Sequence, residues 1–347
     1  MKPRIAICIT PYEFGGQRVV VNEQTRILRD QYDFTLLTER CAAPVPEWLR
    51  VVEVAPWHGH LVPVSTGQVQ RALRDVDLVH CQASFPFILE ASKSKIPLVI
   101  TSHGNCPAQF RDSFRLRFEY HISVPFYGVA FRRADAVLAS SQYISTWLSD
   151  RYGIKSQLCP LGVNLNQFRL RELQRKNAFL YVGEVSARKG VPALLGAFEI
   201  VRHKLDEVEL WIVGFGPLAN ELENAPPEGV RFWKNLPDAD LARLYAEAYT
   251  FVTASYWEGF GLPLLEAFAS GTPVLARRAY AMPELVESEA CGMLFDSDDE
   301  LADAMFEMSC RSAPDRRYLR AVAERYSWSS SASAVGRVYS RLLNSRL

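Results

Sequence analysis

SYWEGFGLPLLEAFASGTPVL, residues 255–275, holds a strand exit, a glycine-rich turn, a helix and the start of another strand. The preceding run TFVTAS (250–255) is β-branched and apolar, which reads as a strand. Glu258, Gly259, Phe260 and Gly261 follow, then Pro263, a favoured residue of the first helical turn. Gly271 closes the helix, and TPVL resumes a strand. Glycines at a helix start expose backbone N–H groups that no helical carbonyl satisfies, and with the helix dipole they form an anion site. In an open α/β sheet such a loop lies at the carboxyl end of a strand, where ligands bind. Glu266 falls about one turn into the helix, where its carboxylate can accept two hydroxyl hydrogen bonds, as from a ribose. Glu258, just before the glycines, is placed to reach a second group of the same ligand.

Working outward, the same alternation of short apolar runs and amphipathic segments fills the chain. In the first half the strand candidates are RIAICIT (4–10), FTLLTE (34–39), VVEVAP (51–56), LVHCQA (78–83), PLVITSH (97–103), AVLASS (136–141) and SQLCPLG (156–162). Their apolar residues are consecutive, which suits parallel strands covered on both faces. The stretch GVNLNQFRLRELQRKN (162–177) is polar without a sustained period and reads as a linker. The pattern restarts with AFLYVGE (178–184), ELWIVGFG (209–216), VRFWKNL (230–236), TFVTAS, TPVLARR (272–278) and GMLF (292–295). Helices fit between them at 192–205, 238–248 and 263–270, and residues 328–347 read as a last amphipathic helix. The fold class is therefore α/β, with two doubly wound, Rossmann-like halves.

The chain has 347 residues, room for two domains, and 39 basic against 39 acidic side chains. A net charge of zero argues against a non-specific polyanion binder, so no nucleic-acid partner is expected. Seven scattered cysteines without a CxxC pair read as reduced thiols. The opening MKPRIAICITPYEFGG has too short an apolar run for a signal peptide, and no uncharged apolar stretch is long enough for a membrane span. A cytoplasmic protein is the expectation. The segment 110–133 mixes arginines with aromatic side chains. It is read either as a helix with a core-facing aromatic stripe or as a surface that touches a membrane or an anionic acceptor.

A diphosphate needs cations as well as amides. YVGEVSARKGVPALL (181–195) supplies Arg188 and Lys189 in a short loop between a strand and a helix. Arginine can grip phosphate oxygens in a fork, and lysine adds a point charge.

With these residues in view, the chain resembles retaining glycosyltransferases of the bacterial GT family 4, which have the GT-B fold. The likeness spans nearly the whole chain and is strongest from 178 to 296. Its most specific part is the pair of glutamates separated by seven residues, Glu258-GFGLPLL-Glu266-AFASGTPV. VGEVSARKG (182–190), WIVGFGPL (211–218), VITSHG (99–104), ADAVLASS (134–141), LCPLGVNLNQF (158–168) and ACGMLFDSDDELADAM (290–305) add weaker matches. The resemblance implies two Rossmann-like domains facing a central cleft. An acceptor-side domain would cover 1–165 and a nucleotide-sugar domain 166–326, with a helix at 327–347 packing back toward the first.

The resemblance also implies roles. Glu266 would bind the donor ribose and Glu258 hydroxyls of the transferred sugar. The amides of Gly259, Phe260, Gly261 and Leu262 would hold the distal phosphate, with Lys189 and Arg188 on the diphosphate. His103 would face the transferred sugar near the acceptor, Gly15 and Gly16 would form the glycine-rich loop near the phosphates, and Lys234 would lie near the base. The implied enzyme is a hexosyltransferase-type catalyst that uses a UDP- or GDP-sugar, retains configuration and needs no metal or other cofactor. Its acceptor would be a hydroxyl on a glycan, a lipid-linked substrate or a metabolite, and the protein would be cytoplasmic or peripheral at the inner face of a membrane.

Two departures stand out. Relatives carry Arg where Glu184 follows the glycine of VG, and Gly where Lys234 stands. Either Arg188 takes over the missing charge, or Glu184 points away, or donor handling is altered. Other readings remain at this stage. GFGPLA (214–219) formally fits a dinucleotide fingerprint, but it contains Pro217 and no acidic residue ends the next strand. His58-Gly-His60 is the one His pair with metal-ligand spacing. A sugar-nucleotide epimerase, a phosphorylase or a non-catalytic sugar-nucleotide-binding relative would share the fold.

Overall fold

A computed structural model describes residues 1–9, 12–13, 15–54, 66–82, 85–103, 127–205, 207–312 and 314–345. The chain forms two compact units, Met1–Leu161 with Trp328–Leu347, and Gly162–Ser327.

The first unit is built on seven strands: β1 (Arg4–Cys8), β2 (Asp33–Thr38), β3 (Leu49–Glu53), β4 (Leu78–Gln82), β5 (Leu98–Ser102), β6 (Ala136–Ala139) and β7 (Gln157–Leu158). Their order is β3-β2-β1-β4-β5-β6-β7, and every pairing is parallel. The consecutive apolar residues of β1 divide between two layers, as a period of two requires. Ala6 and Cys8 join Val79, Cys81, Ile100, Phe87 and Leu148 on one face. Ile5 and Ile7 join Leu36, Val99, Val335 and Tyr339 on the other. The C-terminal helix Trp328–Asn344 is thus part of this unit and lies along the helix Gly16–Leu28. Gln24 donates to the Ser331 hydroxyl (3.1 Å) where the two helices meet.

The second unit carries β8 (Lys176–Val182), β9 (Glu209–Val213), β10 (Val230–Trp233), β11 (Ala248–Thr253), β12 (Val274–Arg277) and β13 (Gly292–Phe295). The order is β10-β9-β8-β11-β12-β13, again wholly parallel. The architecture is therefore two Rossmann-like doubly wound units. In each sheet the strand order reverses once, between β1 and β4 and between β8 and β11. At such a reversal the following loops leave in opposite directions and open a crevice at the carboxyl ends of the strands.

The stretch 162–177 is not a loose linker. Phe168 is buried against the Tyr245 ring at 5.4 Å, and Arg320 donates to the carbonyls of Leu165 (3.2 Å) and Phe168 (2.7 Å). The polar composition hid this, because one aromatic anchor and backbone carbonyls do the fastening. Of the segment 110–133, residues 110–126 lie outside the described residues. In the part that follows, Phe131 is buried against Tyr152 at 6.0 Å, so the described aromatic side chains serve the core. His58 and His60 also lie outside the described residues.

Candidate active site

The reversal between β8 and β11 fixes which loops matter in the second unit. After β8 comes Gly183–Gly190, and after β11 comes Ala254–Gly261. Their backbones are fastened together. Gly190 has φ +72, and a Cβ there would stand 2.1 Å from the Ala254 carbonyl oxygen, so only glycine permits the approach. The Tyr256 amide donates to the Arg188 carbonyl at 3.2 Å. Gly214 and Gly216, after β9, pack equally tightly: a Cβ at Gly214 would stand 1.8 Å from the Gly183 oxygen, and one at Gly216 2.6 Å from the Val185 oxygen. The glycines of GFGPLA thus let two loops pack together, which explains them without a dinucleotide.

This fastening brings cations and carboxylates together. Lys189 Nζ donates to Glu258 Oε1 at 2.5 Å, with the two side chains only 16% and 19% exposed. Arg188 donates to the carboxylate of Glu184, four residues before it in the same loop. Glu184 therefore faces Arg188, and the two charges pair with each other. Beneath them the buried Tyr181 hydroxyl donates to the Glu184 carbonyl at 2.7 Å. Burial first, and the Glu258 and Glu184 carboxylates next, hold this phenol well above its ordinary range.

A second set of residues, invisible in the sequence motif, grips the Glu258 loop from the β12 side. Arg277 is buried, stacks over the Tyr256 ring at 4.5 Å and donates to the Ala254 carbonyl at 3.2 Å. It pairs with Asp298, which also accepts from the Tyr256 hydroxyl at 2.5 Å. Nothing in the sequence separates Arg277 from the adjacent exposed Arg278.

The helix Leu262–Ala269 begins at Gly261, whose φ of +100 suits glycine, with no side-chain cap and no acidic residue in its first turn. Pro263 brings no N–H of its own. No side chain therefore offsets the helix dipole at this end, which favours an anion there. Glu266 accepts a hydrogen bond from the Tyr245 hydroxyl at 2.7 Å. Burial pushes its carboxyl up to about 7; the Tyr245 hydrogen bond opposes the rise and the nearby Asp238 charge adds to it. Tyr245, which holds this carboxyl, is a residue that sequence reasoning did not single out. It lies on the buried face of the helix Asp238–Glu247, where periodicity marks it only as core.

Lys234, at the end of β10, reaches Asn220 Oδ1 and Glu223 Oε2, both at 3.1 Å, and is exposed. Its ammonium is turned to the helix Ala219–Asn224. Gly15, Gly16 and His103 belong to the first unit. Gly15 has φ 149 and ψ 175, a conformation open to glycine, and Gly16 starts the first helix. His103, just beyond β5, lies within 2.8 Å of Gln82 Oε1 through Nε2. Burial lowers its pKa to about 4, which keeps the imidazole neutral at physiological pH.

Comparison with known proteins identifies the family and the fold. Residues 14–167 match the family model described as Glycosyltransferase Family 4, and residues 176–310 match Glycosyl transferases group 1. The MMP alpha-(1->4)-mannosyltransferase of Mycolicibacterium hassiacum is 31% identical over 78% of this chain and 71% of its own length. The alpha-monoglucosyldiacylglycerol synthase of Streptococcus pneumoniae is 27% identical over 67% of this chain, which spans only 58% of that relative. Among solved structures, Anabaena HepE in complex with UDP-glucose superposes with a TM-score of 0.78 at 18% identity, covering 97% of this chain and 99% of that one.

Proposed function

The chain belongs to glycosyltransferase family 4, group 1, and from that premise we propose that it transfers a sugar from a nucleotide-diphosphate donor, a UDP- or GDP-sugar, to an acceptor hydroxyl with retention of configuration and without a metal. One observation carries the reading. At the N-terminus of an uncapped helix stands a cation–carboxylate pair, Lys189–Glu258, with a desolvated carboxyl, Glu266, one turn further in. Phosphate, sugar and ribose each need one of these groups.

In this reading the bond from the anomeric carbon to the diphosphate oxygen breaks, and negative charge grows on the leaving nucleoside diphosphate. Lys189, Arg188 and the amides of Gly259–Leu262 stabilise that charge, which is the work a metal performs elsewhere. The acceptor oxygen bonds to the anomeric carbon on the departing face, and its proton passes to the leaving phosphate oxygen. Glu258 orients hydroxyls of the transferred sugar; donor binding frees it from Lys189, which moves to phosphate. His103, being neutral, meets a sugar hydroxyl by hydrogen bonding and adds no charge. Lys234 is proposed to flank the base, and Gly15 and Gly16 to let backbone approach the phosphates.

The acceptor is proposed to be a glycan, lipid-linked or metabolite hydroxyl. By their names, the two relatives cited above make a monoglucosyl diacylglycerol and transfer a mannosyl group. No helix among the described residues is long and apolar enough to cross a membrane. Any membrane contact is proposed to be peripheral, through 110–133.

The test is thermal stabilisation by UDP, GDP, ADP, CDP and dTDP in the presence of EDTA, followed by product analysis with the sugar nucleotide of the base that binds. Ligand at one hundred times its dissociation constant adds about 2.7 kcal/mol of stability. Stabilisation by one base without metal supports the reading. No stabilisation by any base would mean that the Glu184–Arg188 pairing marks a lost donor site.

A further inference from the structure

His103 is one end of a buried chain of side chains that its proposed role does not use. Gln82, Thr101 and His80 lie on the same face of β4 and β5, where Gln82 pairs with Thr101 in the strand register. His103 Nε2 lies 2.8 Å from Gln82 Oε1, and Gln82 Nε2 lies 3.4 Å from His80 Nε2. His80 Nε2 also meets the Thr101 hydroxyl at 2.7 Å, and its Nδ1 meets the Tyr339 hydroxyl at 2.5 Å. Gln82, His80, Thr101 and Tyr339 are each no more than 3% exposed, so water does not readily replace the links among these four. Burial lowers both imidazoles, His80 to about 3 and His103 to about 4, so each carries one proton in ordinary buffers.

A buried amide has one accepting oxygen and one donating nitrogen, and both need partners. With its oxygen on His103, Gln82 requires an N–H at His103 Nε2 and leaves Nδ1 bare. Its nitrogen then requires a bare Nε2 on His80, whose proton must sit on Nδ1 and donate to Tyr339. Reversing the amide would reverse every proton in the chain. The two histidines therefore hold opposite tautomers in either arrangement, and neither can change alone.

We propose that Gln82 is a positioning residue that fixes the tautomer of His103, and that Tyr339 of the C-terminal helix sets the direction of the relay through His80. The bare Nδ1 would then accept a hydrogen bond from a substrate hydroxyl. This last clause rests on His103 meeting the transferred sugar; the relay itself does not.

The experiment reads tautomers directly, by long-range proton–nitrogen NMR of the nitrogen-15-labelled full chain without substrate. The wild type should show His103 as Nε2–H and His80 as Nδ1–H, the form less populated by free histidine in water. Gln82→Met, of similar shape but without the amide, should lose the protected His103 Nε2–H resonance and reduce kcat/KM roughly three- to tenfold. Gln82→Glu retains an accepting oxygen and should restore that resonance. Tyr339→Phe strands the His80 Nδ1–H and should move His103 toward Nδ1–H. The same tautomer on both histidines in the wild type, or an unaltered His103 spectrum in Gln82→Met, would overturn the relay. An unaltered His103 in Tyr339→Phe would overturn the link to the C-terminal helix. Expected tautomers together with normal turnover in His103→Ala would leave the relay standing and remove His103 from the reaction.

Discussion

If Glu266 holds the donor ribose as an acceptor of two hydroxyl hydrogen bonds, binding must depend on its ionisation. Burial pushes the carboxyl up to about 7, so it titrates in the range where enzymes are assayed. For such a group about one tenth is ionised at pH 6 and about nine tenths at pH 8. Binding that requires the ionised form is then weaker at pH 6 than at pH 8 by about tenfold, or about 1.4 kcal/mol. The ligand must not titrate in the same window. Free UDP does, through its terminal phosphate, whereas the two phosphates of UDP-glucose each carry one fixed charge. His103 and His80, lowered to about 4 and about 3, stay neutral across the range and contribute nothing to the slope. The sign for the free protein is opposite. The folded carboxyl holds its proton more tightly than an unfolded one, so a rise through pH 7 costs the unliganded protein stability while donor binding strengthens. Isothermal titration with UDP-glucose from pH 6 to pH 8 measures the slope, and with another base the corresponding sugar nucleotide serves. Glu266→Gln should bind weakly and without pH dependence. Affinity that is flat in the wild type, or the same slope in Glu266→Gln, would refute the assignment of Glu266 to the ribose.

Other expectations follow from the same corner. Lys189→Ala and Glu258→Ala should each lower turnover by about a hundredfold or more, the usual cost of one transition-state contact, while circular dichroism and the melting temperature change little. Near-normal turnover in either would sink the assignment. Glu184→Gln releases Arg188 from its carboxylate and should tighten nucleotide-sugar binding severalfold at low salt; looser binding would show that Glu184 positions Arg188 for the diphosphate. Gly190→Ala places a methyl 2.1 Å from the Ala254 oxygen at φ +72 and should lower the melting temperature by several degrees, with loss of donor binding; an unchanged protein would refute the close approach. Transfer should persist in EDTA, and a requirement for added divalent cation would exclude the mechanism proposed.

Much of the fold was legible because parallel strands covered on both faces leave an uninterrupted apolar signature. RIAICIT marks β1, which the structure ends at Cys8, and AFLYVGE marks β8. The candidate site was legible where glycine and charge share a short loop, as in EGFGLP and SARKG. What escaped was held by side chains whose sequence context looks ordinary. Tyr245 sits on an apolar helical stripe, Arg277 sits beside an exposed arginine, and Gln82 ends a strand. Their roles lie in one hydroxyl, one guanidinium and one amide placed by tertiary packing, and periodicity records none of these. Phe168 escaped in the same way, as a single anchor within a polar stretch.

The environment of the helix Leu262–Ala269 argues for an anion at its start more strongly than the glycines alone. A helix dipole favours negative charge at the N-terminus and positive charge at the C-terminus. Most helices meet the first need with an acidic residue or a capping oxygen; this one has neither, and Pro263 removes one donor without satisfying the others. The C-terminal end is supplied in abundance. Arg320 donates to the Ala269 carbonyl at 3.1 Å, Arg316 to that of Ser270 at 3.1 Å, and Arg175 to that of Gly271. Burial and the neighbouring Arg316 lower Arg175 to about 10, still far above physiological pH, so the clamp stays charged. Three guanidinium groups at one end, and no acidic or capping side chain at the other, leave the helix dipole uncompensated by side chains at its N-terminus. In the proposed donor complex a diphosphate would supply the missing negative charge, and the carboxyl of Glu266, one turn inward, would meet the ribose on the nucleoside side.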